Sequence, residues 1–490
     1  MPAAKDFYVA IELGSSKVTG IAGQKKMDGS ITVLAVATED SMSLIRRGTV
    51  YNIEKTNQCI RRIVQKLQNQ LQTEIKMVHV GLGGQSIRTI QNNIINDFDE
   101  ATVVSLDIID AMCDANRGTK YTNQYILDVV PQEYKVDLQY QTEPVGIECN
   151  RIEGSYLNIV WRETFYRNLC KCFEEQSNMP NTRYYIAPLA LADSLLTESE
   201  RRNGCMLVDL GAGTTTVSIY YKNILRHMAT IPLGGLNITK DISAFHIDEA
   251  DAERLKLKHA LAYVNASEVD AETKLSIDIQ RTISQREFLS MAEARTEEII
   301  KNALAQIPTE YEDKLIGGII LTGGMANMRN IEQAFRIYSK CENIRIANKV
   351  KTSVNYAKQV TNTSDISCTA LSLLLKADEL SSGRSLDEIS IFSEPEESEP
   401  VVEQPRPREL KPGEVPTGRE RELTEKEAAA KAEQEAAKVA EAAQEEEEYQ
   451  IDLMDLLYRL IEKARYIVTE AIVGAVVMAL VTMMFISPTY

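Results

Sequence analysis

Several absences bound this chain of 490 residues. It has no GxxxxGK[ST] segment, so a P-loop is excluded, and its Gly211-x-Gly213 pair lacks the third glycine of the dinucleotide fingerprint. Histidine is scarce: His79, His227, His246 and His259 are the four present, and none has metal-ligand spacing. No Ser/His/Asp arrangement is legible, which removes a serine hydrolase. The eight cysteines (Cys59, Cys113, Cys149, Cys170, Cys172, Cys205, Cys341 and Cys368) are scattered, with no CxxC pair. Cys170 and Cys172 stand too close for a zinc knuckle, so free, mostly buried thiols in a reducing compartment are expected. The N-terminus MPAAKDFYVA has no charged segment leading into an apolar one. No secretory signal is read there, and the body of the protein is expected in the cytoplasm. Basic excess is also missing. The net charge is −17, and residues 393–448, with 18 acidic and 8 basic side chains, carry −10 of it. A chain without a basic face is not expected to bind nucleic acid.

What is present is a pair of glycine-punctuated strand–turn–strand segments roughly 200 residues apart, FYVAIELGSSKVTGIAG (7–23) and CMLVDLGAGTTTVSIYY (205–221). In each, an apolar run meets an acid, one residue, then glycine and small hydroxyl residues, and a second apolar run follows. Glycine lets a backbone turn tightly and approach a ligand. Successive amides in such a turn form an anion-binding concavity. One such hairpin is equally well an ordinary turn; two, one per half of the chain, suggest a clamp on a polyphosphate.

Glu12 and Asp209 stand two residues before Gly14 and Gly211. There they suit the water shell of Mg²⁺, an ion that dehydrates reluctantly. Ser15, Ser16 and Lys17 follow the first turn, with Lys17 placed to neutralise phosphate charge, and Gly213, Thr214 and Thr215 form the second. LTGGMAN (321–327) adds a strand, a Gly-Gly turn and a predicted helix over 327–339 whose start faces the phosphates. PLGGLNITKDI (232–242) repeats the glycine turn. A helix is predicted over 248–260, with Asp248 as N-cap and Ile247 and Ala252 as a hydrophobic staple. On it Glu253 and Lys256 share a face, either to contact a ribose or base or to form a solvated ion pair.

Strand-like runs over 31–37, 77–84 and 124–130 alternate with helical patterns over 54–71, 106–116, 161–176, 187–196 and 286–306. The alternation predicts an α/β architecture of two or more domains. After about residue 383 the pattern stops. Residues 393–418 are rich in Glu, Pro and Gly, and 420–448 are Ala/Glu/Lys-rich with almost no apolar stripe, which predicts a disordered acidic linker. Apolar residues then recur at Ile451, Met454, Leu457, Leu460 and Ala464 on one face of an amphipathic helix. The stretch AIVGAVVMALVTMMFI (471–486) carries no charge. A helix of that length spans about 24 Å, under the ~30 Å of a hydrocarbon core. Residues 449–490 are therefore expected to meet membrane lipid, as a short anchor or an interfacial helix, with a buried core helix as the bland alternative.

The motif order resembles the actin/chaperone/sugar-kinase ATPase superfamily: first phosphate hairpin, connecting helix APLALADSLL (187–196), second hairpin, adenosine motif and closing Gly-Gly turn. Within it, VVPQEYKVD (129–137), EPVGIECNRIEG (143–154), APLALADSLLTESER (187–201) and ILRHMATIPLGGLNITKDI (224–242) resemble the bacterial cell-division family FtsA, a likeness covering about residues 7–380. The resemblance implies an actin-like two-lobe ATPase fold with an FtsA-type inserted subdomain, disordered linker and C-terminal membrane helix. Lobe 1 would take residues 5–84 and 166–203, the inserted subdomain 85–165, the lobe 2 core 204–245 and 308–382, and its outer subdomain 246–307. The linker would be 383–448 and the membrane helix 449–490.

The resemblance also implies ATP and Mg²⁺ between the lobes. Gly14, Ser15, Ser16 and Lys17 would form the first phosphate loop, and Asp209, Gly211, Gly213, Thr214 and Thr215 the second. Gly234, Gly235, Glu253, Lys256, Gly323, Gly324 and Met325 would surround sugar and base, with Glu12 and Asp209 reaching the metal through water. The implied partners are the C-terminal segment of the tubulin-like FtsZ, further copies of the chain in filaments, later division proteins and lipid, on the cytoplasmic face of the membrane at the division site. Two positions depart from the pattern. Glu12 stands for the usual Asp and is one methylene longer, and Thr216 takes a place often held by Asp. No residue stands out as a water-activating base, so slow ATP hydrolysis at most is expected. A small-molecule kinase would need an acid toward an acceptor hydroxyl and has no need of such a tail. A DnaK-type chaperone would need a β-rich domain where the linker stands. A PilM-like pilus scaffold shares the lobes but is not expected to carry the tail.

Overall fold

The computed structural model describes residues 6–174, 181–265, 273–277, 281–339, 341–361, 363 and 366–385. The expected membrane helix (449–490) and all but the first residues of the expected linker lie outside them. Residues 383–385, assigned to the linker from sequence, instead belong to a strand, Ser382–Ser385, paired antiparallel with Thr73–Ile75. Among the described residues no helix is long and apolar enough to cross a membrane. All eight cysteines are free, and Cys59, Cys149, Cys172 and Cys205 are buried.

Two large sheets organise the chain. The first runs Asn181–Ile186, Met77–Leu82, Tyr8–Leu13, Lys17–Lys25, Ile31–Asp40 and Val354–Tyr356 from edge to edge. Tyr8–Leu13 and Lys17–Lys25 pair antiparallel from Tyr8↔Gly23 to Leu13↔Val18, so Glu12 sits one residue from the end of the first hairpin's ladder. The helix Ile53–Leu71 covers one face, started by Asn52, whose Oδ1 accepts from the Lys55 N–H at 2.9 Å. Its buried Ile60, Ile63 and Leu67 recur at helical spacing. It approaches so closely that a Cβ on Gly20 would lie 2.3 Å from the Ile63 side chain. Ala187–Leu195 and Cys368–Lys376 pack together against the first sheet, which Val354–Tyr356 also joins, so the end of the stretch 308–382, expected in the second lobe, belongs instead to the core of the first. A Cβ on Gly23 would lie 2.8 Å from Leu374, and one on Gly81 2.7 Å from Leu373.

The second sheet has nine strands: Gln139–Gln141, Gln124–Val136, Glu148–Arg162, Arg88–Val103, Ile224–Ile231, Thr215–Tyr221, Cys205–Leu210, Gly318–Thr322 and Ile344–Ile346. Its two parts meet where Arg88–Val103 pairs with Ile224–Ile231 at Ala229↔Arg88. The first four strands carry a small core of their own, with Val104, Met112, Tyr134, Ile152 and Tyr156 under the helix Leu106–Arg117. The other strands bury Met206, Val208, Val217 and Ile319 against helices such as Gln285–Leu304. The result is the α/β architecture expected, with two main cores, one per large sheet.

Three local expectations need correction. The helix predicted over 161–176 begins at Glu163, because Trp161 and Arg162 complete the strand Glu148–Arg162; residues 175 and 176 lie outside the described residues. The helix predicted over 327–339 is broken. A 3₁₀ turn, Gly324–Asn327, precedes Asn330 in the left-handed region (φ 66°), and the α-helix spans only Ile331–Ser339. Asp248 does precede the helix Glu249–His259, but its side chain makes no cap hydrogen bond; burial of Ile247 and Ala252 accompanies the start instead.

Candidate functional site

A cavity of about 1360 Å³ opens between the two main cores, and both glycine turns reach it. In the first turn the Gly14 N–H donates to the Lys17 carbonyl at 3.1 Å. Ser41 Oγ donates to the Gly14 carbonyl at 2.6 Å, and Ser15 Oγ accepts from the Gly48 N–H at 2.8 Å. The second turn closes in the same way, with the Gly211 N–H donating to the Thr214 carbonyl at 2.9 Å. Of the residues singled out from sequence, Glu12, Gly14, Ser15, Ser16, Lys17, Asp209, Gly211, Thr214, Gly235, Glu253, Lys256, Gly323, Gly324 and Met325 line this cavity. Thr216 lines it too, and its Oγ1 shares a hydrogen bond with Thr230 Oγ1 at 3.1 Å.

Gly213, Thr215 and Gly234 are not among the lining residues. Thr215 is fully buried, and its Oγ1 donates to the Leu233 carbonyl at 3.0 Å. Gly213 faces the other hairpin: a Cβ there would lie 2.6 Å from Ser15 Oγ and 3.3 Å from Arg47 Cα. The two turns therefore touch at Ser15 and Gly213, and the cavity lies beside that contact. Gly234 packs on the second turn, where a Cβ would lie 2.6 Å from the Gly211 carbonyl oxygen. The N–H groups of Gly235 and Leu236 donate to the carbonyls of Gly211 and Ala212 at 3.0 and 2.8 Å, and the Gly234 N–H donates to Asn237 Oδ1 at 3.0 Å. The PLGG segment is thus a joint between the helix Gly235–Ser243 and the second hairpin, with its amides spent inside the protein.

Glu253 and Lys256 do form an ion pair, half-buried and joined to further partners. Lys256 Nζ donates to Glu253 Oε2 at 2.6 Å, to Thr239 Oγ1 at 2.9 Å and to the Gly235 carbonyl at 3.1 Å, and Thr239 Oγ1 also donates to Glu253. This network ties Glu249–His259 to Gly235–Ser243 at the wall of the cavity.

The two acids of the hairpins are the most perturbed groups at the site. Burial pushes the Glu12 carboxyl up to about 7; the Ser367 hydroxyl donating to it and the Lys17 ammonium pull it down, while the Asp209 charge pushes it further up. Burial alone lifts Asp209 to about 6. Gly323, at φ 90°, passes so near Asp209 that a Cβ would lie 2.5 Å from its Oδ1. Two half-buried carboxylates, one from each hairpin, are hard oxygen donors whose ionised forms a divalent cation would favour. Among the described residues no group of three or more His, Cys, Asp or Glu is arranged on one metal. Such a sparse donor set fits Mg²⁺, which keeps several of its waters, better than an ion held by protein ligands alone.

Ser367 escaped the sequence reading. It is the N-cap of Cys368–Lys376, its Oγ accepting from the Ala370 N–H at 3.0 Å, and it lines the cavity beside Glu12. A serine directly before the apolar run CTALSLLLK was the available signal.

The family model described as "Cell division protein FtsA" matches residues 206–370, and that described as "SHS2 domain inserted in FTSA" matches residues 84–160. The cell division protein FtsA of Porphyromonas gingivalis is 31% identical over 339 residues, covering 67% of this chain and 70% of the relative. That of Pseudomonas aeruginosa is 28% identical over 402 residues, covering 81% and 95%. Among solved structures, the PilM-PilN type IV pilus biogenesis complex aligns with a TM-score of 0.53 at 13% identity, covering 76% of this chain and 99% of that one, a likeness of fold. The architecture is the actin-like ATPase fold with an inserted SHS2 domain.

Proposed function

The chain belongs to the cell-division protein FtsA family, and from that premise we propose that it binds ATP with Mg²⁺ between its lobes and tethers FtsZ filaments to the inner face of the cytoplasmic membrane. It also assembles with further copies of itself and recruits later division proteins. Within this reading residues 85–165 form the inserted subdomain and residues 246–307 the outer part of the second lobe.

One observation supports the nucleotide half above the others: Glu12 and Asp209, from different hairpins, stand half-buried at one cavity with Lys17 and the glycine turns. Mg-ATP supplies a polyphosphate and a hard cation to that cavity. Lys17 neutralises phosphate charge, Ser15, Ser16 and Thr214 offer close backbone and hydroxyl donors, and Gly14 and Gly211, whose own amides close the turns, let the chain approach the phosphates. Glu12 and Asp209 orient the waters of the cation. Gly235, Glu253, Lys256, Gly323, Gly324 and Met325 flank the sugar and base. With both acids engaged toward the cation, no base is assigned to the attacking water, and hydrolysis is slow.

The tether half is supported by the family and by the sequence of residues 449–490. The test is recruitment of FtsZ polymers to lipid vesicles with ATP, by the full chain and by a chain ending at Glu448. The full chain is expected to bring polymers to the vesicles and the shortened chain to leave them in solution. Equal recruitment by both, or none by either, refutes the tether.

A further inference from the structure

Glu12 and Ser367 meet across the edge of the cavity, 355 residues apart in sequence. The Ser367 hydroxyl does two things. Its oxygen accepts from the Ala370 N–H at 3.0 Å and caps Cys368–Lys376, and its proton goes to Glu12 Oε2. A hydroxyl has one proton and two lone pairs, so capping leaves that proton available to the carboxylate.

The serine is also held in place. Leu373 and Leu374 pack against Gly81 and Gly23 of the first sheet. At the far end of the helix Lys25 Nζ donates to the Leu375 carbonyl at 2.7 Å and to the Ala377 carbonyl. The chain then returns to the strand that bears Glu12. The Ser381 N–H donates to the Phe7 carbonyl at 2.7 Å, and the Val9 N–H donates to Ser381 Oγ at 2.9 Å. Residues 367–381 are thus fastened at both ends to Tyr8–Leu13 and its flank.

We propose that Ser367 is a positioning residue for the cation-facing Glu12, and that the length of the glutamate and the place of the serine are matched. A glutamate has one more rotatable bond than an aspartate, and the Ser367 hydrogen bond removes that freedom. An aspartate at position 12, one methylene shorter, would leave the serine proton without its partner. This rests on the Mg-nucleotide reading above.

The experiment is a Mg²⁺ titration of the binding of a fluorescent ATP analogue to the full chain, for the unaltered protein, Ser367→Ala, Glu12→Asp and the double variant. Ser367→Ala is expected to raise the Mg²⁺ concentration at half-maximal binding by about tenfold, as loss of a hydrogen bond to a charged group implies. In the Glu12→Asp background the same change is expected to do nothing further, and Ser367→Thr is expected to restore the original value. Loss of the helix cap is common to both backgrounds, so a merely structural effect appears equally in each. Equal effects in both backgrounds, or no effect in either, overturn the pairing alone. If the unaltered chain shows no Mg²⁺-dependent binding, the nucleotide reading falls and takes the pairing with it.

Discussion

Glu12 carries the sharpest residue-level consequence. Its carboxyl is raised from 4.5 to about 7, chiefly by burial. Between those values the folded chain keeps a proton that the unfolded chain has released. Without a cation, the stability tied to Glu12 is therefore fully present at low pH and is lost as pH rises toward 8. Asp209, raised to about 6, acts in the same direction. Glu12→Gln removes the first contribution, about 3 kcal/mol across the window. Urea unfolding in chelator at pH 5 and pH 8 checks this: the variant is expected to gain on the unaltered chain as pH rises, and parallel curves would contradict it. The acids were legible because each stands two residues before a turn glycine. Their surroundings were not, since Ser367, which donates to Glu12, lies 355 residues away in sequence.

Among elements, the hairpins could be read locally, because turn chemistry and apolar runs coincide in one short stretch. The PLGG segment shows where such reading ends. Its glycines correctly signal close approach, but the neighbour is the carbonyl edge of the second hairpin. Glycine records proximity and does not name what is near. Arg88–Val103 went unread because QNNIINDFDEA is polar, and no residue in that strand is fully buried. Cys368–Lys376 went unread for the opposite reason: it is apolar almost all round, so no polar face gives it a period. That helix is fixed by tertiary contacts, and Lys25 is the most exposed of them to a test. Lys25→Met removes both bonds to the carbonyls at its C-terminal end. A loss of about 1–2 kcal/mol is expected, with faster hydrogen exchange over residues 377–382 and little change in Ile53–Leu71. Uniform exchange across the first lobe would show that the clasp has no local role.

At the scale of the whole molecule, two main cores enclose one large cavity, and the acid-bearing hairpin of each sheet opens on it. Sequence was informative about this arrangement because the two hairpins repeat one another. It was silent about the contact between Ser15 and Gly213, which sets where a ligand can lie. The most direct test is a crystal structure of the chain grown with an ATP analogue and Mg²⁺. The phosphates are expected beside the Ser15–Gly213 contact, the base toward Lys256 and Met325, and the cation roughly 4 Å from the Glu12 and Asp209 carboxylates, through water. Nucleotide density anywhere outside this cavity, or a cation distant from both acids, would contradict the account.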